Sequence, residues 1–100
     1  MNIEDEFNRA LVAYIGLGVD IVPSLSRERV ERLLGTTRAK DILPDLDMLL
    51  LEANSINIDW NQYSLNAAGD YVATSMQHRY PRLSPEALRA IAWKITYDWR

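Results

Sequence analysis

The segment of residues 84–100 constrains the fold of this chain more than any other stretch, because it specifies both a helix start and a buried face. Ser84 is suited to cap exposed backbone amides, and Pro85 suits the first helical position because its missing N–H has no partner there. Apolar residues then recur at helical spacing: Leu88, Ile91, Ala92, Ile95 and Trp99. This stripe predicts an amphipathic helix whose apolar face the preceding helices must cover.

Two earlier helices follow from the same kind of signal. Apolar residues at helical spacing predict a first helix over residues 3–19, with Gly16 and Gly18 inside it at positions of close helix packing. Ser26 is expected to cap a short second helix, and Gly35 is a natural stop for it. A further short helical turn is expected at residues 38–42.

The middle of the chain is expected to begin a new helix at Pro44, running over residues 44–53. Its inward positions are Leu46, Leu49, Leu50 and Ala53. Met48 and Leu51 make this helix apolar nearly all round. It is therefore either central to the core or part of an interface.

Residues 55–60 alternate between apolar and polar side chains, which is the period of a strand, but no second strand signal accompanies them. We therefore expect an extended connector here. Asp59 is expected to cap the next helix, which runs to about residue 80, where Pro81 stops it. Four residues are expected to form its buried stripe: Leu65, Ala68, Val72 and Met76.

Together these patterns predict an all-α protein. The chain of 100 residues is long enough for one hydrophobic core and too short for two. We expect a single compact domain over residues 1–100, built from four main helices plus one or two short helical turns.

The available residue types argue against most catalytic chemistry. The chain has no cysteine and only one histidine, His78, whereas a zinc site needs several nitrogen or sulfur ligands. No serine lies in a nucleophile-elbow motif. We therefore expect no enzymatic activity, no cofactor and no metal. The acidic start of the chain and the absence of an apolar run of bilayer length predict a cytoplasmic protein without membrane contact.

Charge is distributed in blocks along the chain, which has a net charge of −3. Residues 41–78 contain six acidic residues and no lysine or arginine. Such a block either pairs with basic blocks of the same chain or presents an acidic face that steers a basic partner. The candidate partner-binding acids are Asp41, Asp45, Asp47 and Asp59.

Aromatic residues form a second set of candidates. Trp93 and Tyr97 share a face of the last predicted helix, away from its apolar stripe, and Tyr63 and Tyr71 lie together on the helix before it. Tyrosine and tryptophan carry much of the binding energy in protein interfaces. The alternative is that these rings pack against the first helix and complete the core.

These features favour a small acidic protein-binding module without enzymatic activity. Its partner is expected to be a basic protein, and an inhibitor or immunity-type protein that blocks a nuclease toxin would have this character. The hypothesis fails if Asp45, Asp47 and Asp59 each pair with arginines of the same chain.

Two alternatives remain open. One is a homo-oligomer, such as a dimer, that uses the Trp93–Tyr97 surface. The other is a helix-turn-helix regulator that binds DNA through residues 27–42. Nucleic acid binding is disfavoured because Pro44 is expected to interrupt the second helix of that motif and because aspartates follow its basic residues.

Overall fold

The computed structural model describes residues 3–98, which form α-helices and no strands. The five helices are α1 (Asp5–Ile15), α2 (Arg27–Leu34), α3 (Thr36–Asn54), α4 (Leu65–Arg79) and α5 (Pro85–Asp98). The all-α prediction is confirmed. Among the helices described, none has both the length and the apolar character needed to cross a membrane.

Helix α5 is the element around which the others pack. It lies against α4, α1 and α3, so that three helices cover its apolar stripe. Leu88, Ile91 and Ile95 of that stripe are buried, and the predicted cap is confirmed, since the hydroxyl of Ser84 accepts the N–H of Ala87 at 3.1 Å. Trp99 lies outside the described residues.

Helix α1 is shorter than predicted. It ends at Ile15 because Gly16 adopts a left-handed conformation, with φ at +92°, and its N–H donates to Val12 O at 2.9 Å. A side chain at Gly16 would meet the guanidinium of Arg29 at 2.7 Å. The prediction that the helix continues to residue 19 was therefore wrong, and Gly16 serves as its stop.

Helix α2 begins and ends as predicted, with the Ser26 hydroxyl accepting the N–H of Arg29 and Gly35 at its end. The predicted break at Pro44 was wrong, because α3 passes through this proline without interruption. Pro44 has no N–H to donate to the carbonyl of Lys40, but both residues are exposed, so water can take that place. Buried side chains before and after Pro44 hold the helix against the core: Ala39, Ile42, Leu43, Leu46, Leu49, Leu50 and Ala53.

The connector before α4 contains turns on either side of residues 57–59 and no strand. The cap of α4 is Ser64, whose hydroxyl accepts the N–H of Ala67 at 3.2 Å. The prediction that Asp59 caps α4 was wrong, because its carboxylate instead accepts the N–H of Asn61 at 3.0 Å in a local turn. Leu65 is exposed rather than buried, since it is the first residue of α4 and lies at the end of the packed stripe.

The rest of the predicted α4 stripe is confirmed. Ala68, Val72 and Met76 are buried. Gly69 lies beside them, and a side chain there would approach Thr96 and Ala92 of α5 at 3.4 and 3.6 Å. The two helices therefore pack closely along this line.

Candidate partner-binding surface

Acidic residues of α1 and α3 converge on one side of the molecule. Asp41 and Asp45 are one turn apart on α3, and they line a hollow of about 190 Å³ together with Glu4 and Glu6, at the start of α1. We call these four residues the α1–α3 acidic cluster. Arg38 is the only cation among the described residues that line this hollow. Among the described residues that line this hollow, four are acidic and one is basic.

Arg38 is committed to one of these carboxylates. Its Nε and Nη2 atoms both lie 2.7 Å from Glu6 Oε1. This hydrogen-bonded pair, together with the nearby charge of Asp41, raises the pKa of Arg38. Within residues 3–98, the carboxylates of Asp41 and Asp45 form no ion pair with a lysine or arginine.

Asp47 lies on the opposite flank of α3 and is held by a tyrosine. The hydroxyl of Tyr14 donates to Asp47 Oδ1 at 2.6 Å. Burial raises the pKa of Tyr14 to about 12, and the hydrogen bond to the Asp47 carboxylate adds to this shift. Tyr14 thus fixes the position of Asp47 without neutralising its charge.

Asp59 is separate from the other three aspartates, in the connector between α3 and α4, where its side chain stabilises the local turn. Within residues 3–98, none of the four candidate aspartates forms an ion pair with a lysine or an arginine. Among these described residues, Asp45, Asp47 and Asp59 are therefore not paired with arginines of the same chain.

Apolar residues beside Asp47 form a second hollow, also of about 190 Å³. Its wall includes Leu25, Leu50 and Leu51, with Ile95 of α5, and we call it the Leu25–Leu51 hollow. Asp47 and Asp98 are its acidic lining residues, and Lys94 pairs with Asp98 at 2.5 Å. The apolar pattern of α3 is compatible with Leu51 in the core or in an interface, and the structure exposes this side chain.

The aromatic candidates fall into two groups. The rings of Tyr63 and Tyr71 are 5.5 Å apart and tilted by 44°, with Tyr71 exposed. Tyr63 precedes α4 rather than lying on it, so a turn and the helix together form this pair. On α5, Trp93 is half-buried and packs against the core, whereas Tyr97 is exposed. Trp93 therefore offers a partner only part of its ring.

The basic block at residues 27–40 is largely neutralised within the fold. Arg27 pairs with Glu31, at 3.3 Å, and Arg32 pairs with Glu28, at 3.5 Å. Arg29 points inward and binds backbone carbonyls of α1. With Arg38 bound to Glu6, Lys40 is the only cation of this block in the described structure that has no carboxylate or carbonyl partner.

A hollow of about 640 Å³ lies between α1, the end of α2 and the start of α5. Its charged lining is balanced, with Asp5 and Glu86 against Arg9 and Arg89. Because it has no net charge and contains none of the candidate residues, its electrostatics do not indicate a ligand.

Comparisons of the chain with protein-family models, with curated proteins and with solved structures gave no significant match. Within residues 3–98, no three side chains of histidine, aspartate or glutamate lie close enough together to hold a metal ion.

Proposed function

We propose that this protein is a non-enzymatic protein-binding module whose acidic surface on α1 and α3 binds a basic partner. The observation that supports the proposal best is the convergence of the α1–α3 acidic cluster, in which one guanidinium faces four carboxylates. Charges of one sign at a surface accelerate the encounter with an oppositely charged protein and select against wrong partners.

A nuclease is a suitable class of partner. Enzymes that bind nucleic acid present lysine and arginine side chains to the phosphate backbone. An acidic protein that covers such a surface competes directly with the polyanionic substrate. We therefore favour an inhibitor or immunity-type role, and a cytoplasmic location, which the absence of cysteine supports.

The arrangement of cations argues against the DNA-binding alternative. The continuous α3 removes the objection based on Pro44, but the electrostatic objection becomes stronger. Arg29 and Arg38 are engaged within the fold, and Asp41 and Asp45 follow on the same helix. A helix that approaches a phosphate backbone needs free cations rather than carboxylates.

The test compares binding by the Asp41→Asn/Asp45→Asn variant with binding by a control that carries Asp70→Asn/Glu86→Gln. Both variants remove two negative charges, and all four residues lie at least partly exposed. Each tagged protein is used to capture partners from its native cells, and the association rate with the purified partner is then measured as a function of salt. Thermal unfolding of each variant verifies that the fold is intact.

We expect the wild type and the control to capture one basic protein. The Asp41→Asn/Asp45→Asn variant, called the α3 variant, should bind this protein more weakly or not at all. The α3 variant should associate about tenfold more slowly at low salt, and the difference should shrink near 0.5 M salt, roughly, where the Debye length is a few ångströms. Equal association rates for both variants at every salt concentration would refute the proposal.

A further inference from the structure

Helix α3 exposes two large apolar side chains that the core does not use. Met48 is 61% exposed and Leu51 is 71% exposed. Positions three, seven and ten residues apart follow one line along a helix, so both side chains continue a line that begins at Asp41. Four residues form this α3 outer stripe: Asp41, Pro44, Met48 and Leu51.

Carboxylates lie on both sides of the apolar part of this stripe. By helical geometry, Asp45 is on one side of the line through Met48 and Asp47 is on the other. Asp45 belongs to the α1–α3 acidic cluster, and Asp47 lines the Leu25–Leu51 hollow. The stripe therefore joins the acidic cluster to an apolar hollow across one continuous surface.

A ligand that matches this surface needs apolar side chains in the middle and positive charges on both sides. We propose that the α3 outer stripe and the Leu25–Leu51 hollow bind a basic amphipathic helix of a protein partner. Apolar side chains of that helix cover Met48 and Leu51 and enter the hollow. Its lysine or arginine side chains on either side meet Asp45 and Asp47.

Charge complementarity selects this occupant. Asp41, Asp45 and Asp47 lie along or beside the stripe, whereas the nearby cations are Lys40, at its first turn, and Lys94, which pairs with Asp98 at 2.5 Å. An amphipathic helix presents apolar anchors at spacings of three and four residues, which is the spacing of the exposed side chains on α3. In such interfaces a few apolar anchors carry most of the affinity, and surrounding charges supply orientation and rate. The inference rests on the proposed function and specifies how the partner is recognised.

The experiment uses a synthetic peptide of leucine and lysine, about 14 residues or four helical turns long, with leucines on one face. A second peptide replaces every leucine with alanine and keeps the charge, and a third replaces every lysine with glutamate. Affinities are measured by calorimetry, and the bound surface is mapped by amide chemical shifts. The protein variants are Met48→Gln/Leu51→Gln and a matched control, Leu33→Gln/Leu65→Gln, which changes exposed leucines elsewhere.

We expect the leucine–lysine peptide to perturb the amides of α3 and of Leu25. The Met48→Gln/Leu51→Gln variant should bind it about tenfold more weakly or worse, and the control variant should bind within about twofold of wild type. The alanine–lysine peptide should bind at least about tenfold more weakly than the leucine–lysine peptide, and the glutamate peptide should not bind.

Several results would overturn the inference in different ways. Equal binding of the leucine and alanine peptides, still weakened by Asp41→Asn/Asp45→Asn, would leave the acidic partner-binding function standing without apolar anchors. Loss of binding in the control variant alone would place the peptide in the groove beside Leu33. Sedimentation that shows a dimer broken by Met48→Gln/Leu51→Gln would identify a second copy as the occupant. Insensitivity to every variant would remove the proposed function as well.

Discussion

Replacement of Arg29 should destabilise the protein more than replacement of any other surface cation of α2. Its side chain is only 18% exposed and reaches back over the end of α1. Nε donates to Ala13 O at 2.6 Å, Nη2 donates to Tyr14 O at 3.2 Å, and Nη1 pairs with Asp20 at 3.0 Å. A further bond runs to the carbonyl of Ser24. One guanidinium thus joins α2 to the end of α1 and to the loop that follows it.

The carbonyls at the end of α1 have no partner within the helix. Arg29 supplies a donor to Ala13 O, and it supplies a second donor to Tyr14 O, which also accepts the N–H of Ser26 at 2.9 Å. A hydrogen bond from a charged donor contributes about 1.5–3 kcal/mol where it is buried, and water can replace part of it at a helix end. We therefore expect Arg29→Met, which keeps much of the apolar stem, to lower the free energy of unfolding by about 2–4 kcal/mol. Arg29→Lys should recover less than half of this loss, because one ammonium group cannot span several carbonyls.

The assay is urea unfolding followed by circular dichroism, with Arg27→Met as the matched control. Arg27 lies on the same helix but is exposed, and its pair with Glu31 is the ordinary surface kind, which contributes roughly 0.3–0.5 kcal/mol. A loss of about 2–4 kcal/mol corresponds to a melting temperature lower by about 10–25 °C in a domain of this size. The role assigned to Arg29 would be refuted if the free energies of unfolding of Arg29→Met and Arg27→Met agreed within about 0.5 kcal/mol, because ordinary surface substitutions vary by that much.

Three further predictions concern buried contacts. The pKa of Tyr14 is raised from 10 to about 12 in the folded protein, so between these pH values the folded state keeps the phenol proton and the unfolded state loses it. The free energy of unfolding should therefore fall between pH 10 and 12. Tyr14→Phe should make this fall smaller in urea titrations. Asn8→Ala removes the acceptor of the Ser84 N–H, 2.9 Å away, and should cost about 1–3 kcal/mol by calorimetry, whereas an unchanged melting temperature would refute this. Gly69→Ala should gain about 0.5–1 kcal/mol and Gly69→Leu should lose about 1–3 kcal/mol because Thr96 lies close, both by thermal unfolding.

Local signals in the sequence predicted local structure well. Ser26, Gly35 and Ser84 were assigned as a cap, a stop and a cap, and each has that role, because a helix end depends on residues within one turn of it. Pro44 and Asp59 were misassigned because their effect depends on the rest of the fold. A proline ends a helix only if packing elsewhere fails to compensate for the lost hydrogen bond.

In the candidate surface, too, the features that depend on nearby residues were predictable, whereas those that depend on how the helices pack were not. Within residues 3–98, Asp41 and Asp45 form no ion pair with an arginine, which is compatible with the charge pattern, but that pattern did not place Glu4 and Glu6 beside them. Helical periodicity indicates which face of α1 is apolar, but not where its first turn meets α3. Likewise, hydrophobic spacing cannot distinguish a helix that is buried on all sides from one that keeps an apolar stripe for a partner.

The arrangement of α3 separates the residues that hold the fold together from those proposed to bind. Its buried side, from Ala39 to Ala53, packs into the core, while Met48 and Leu51 contact solvent. Substitutions on the outer stripe should therefore change binding and leave the free energy of unfolding within about 0.5 kcal/mol, as surface substitutions usually do. A core residue such as Leu46 offers the opposite case, since its truncation to alanine should cost about 2–5 kcal/mol. Binding lost at constant stability is thus the result that marks this surface as functional, because damage to the fold would lower both.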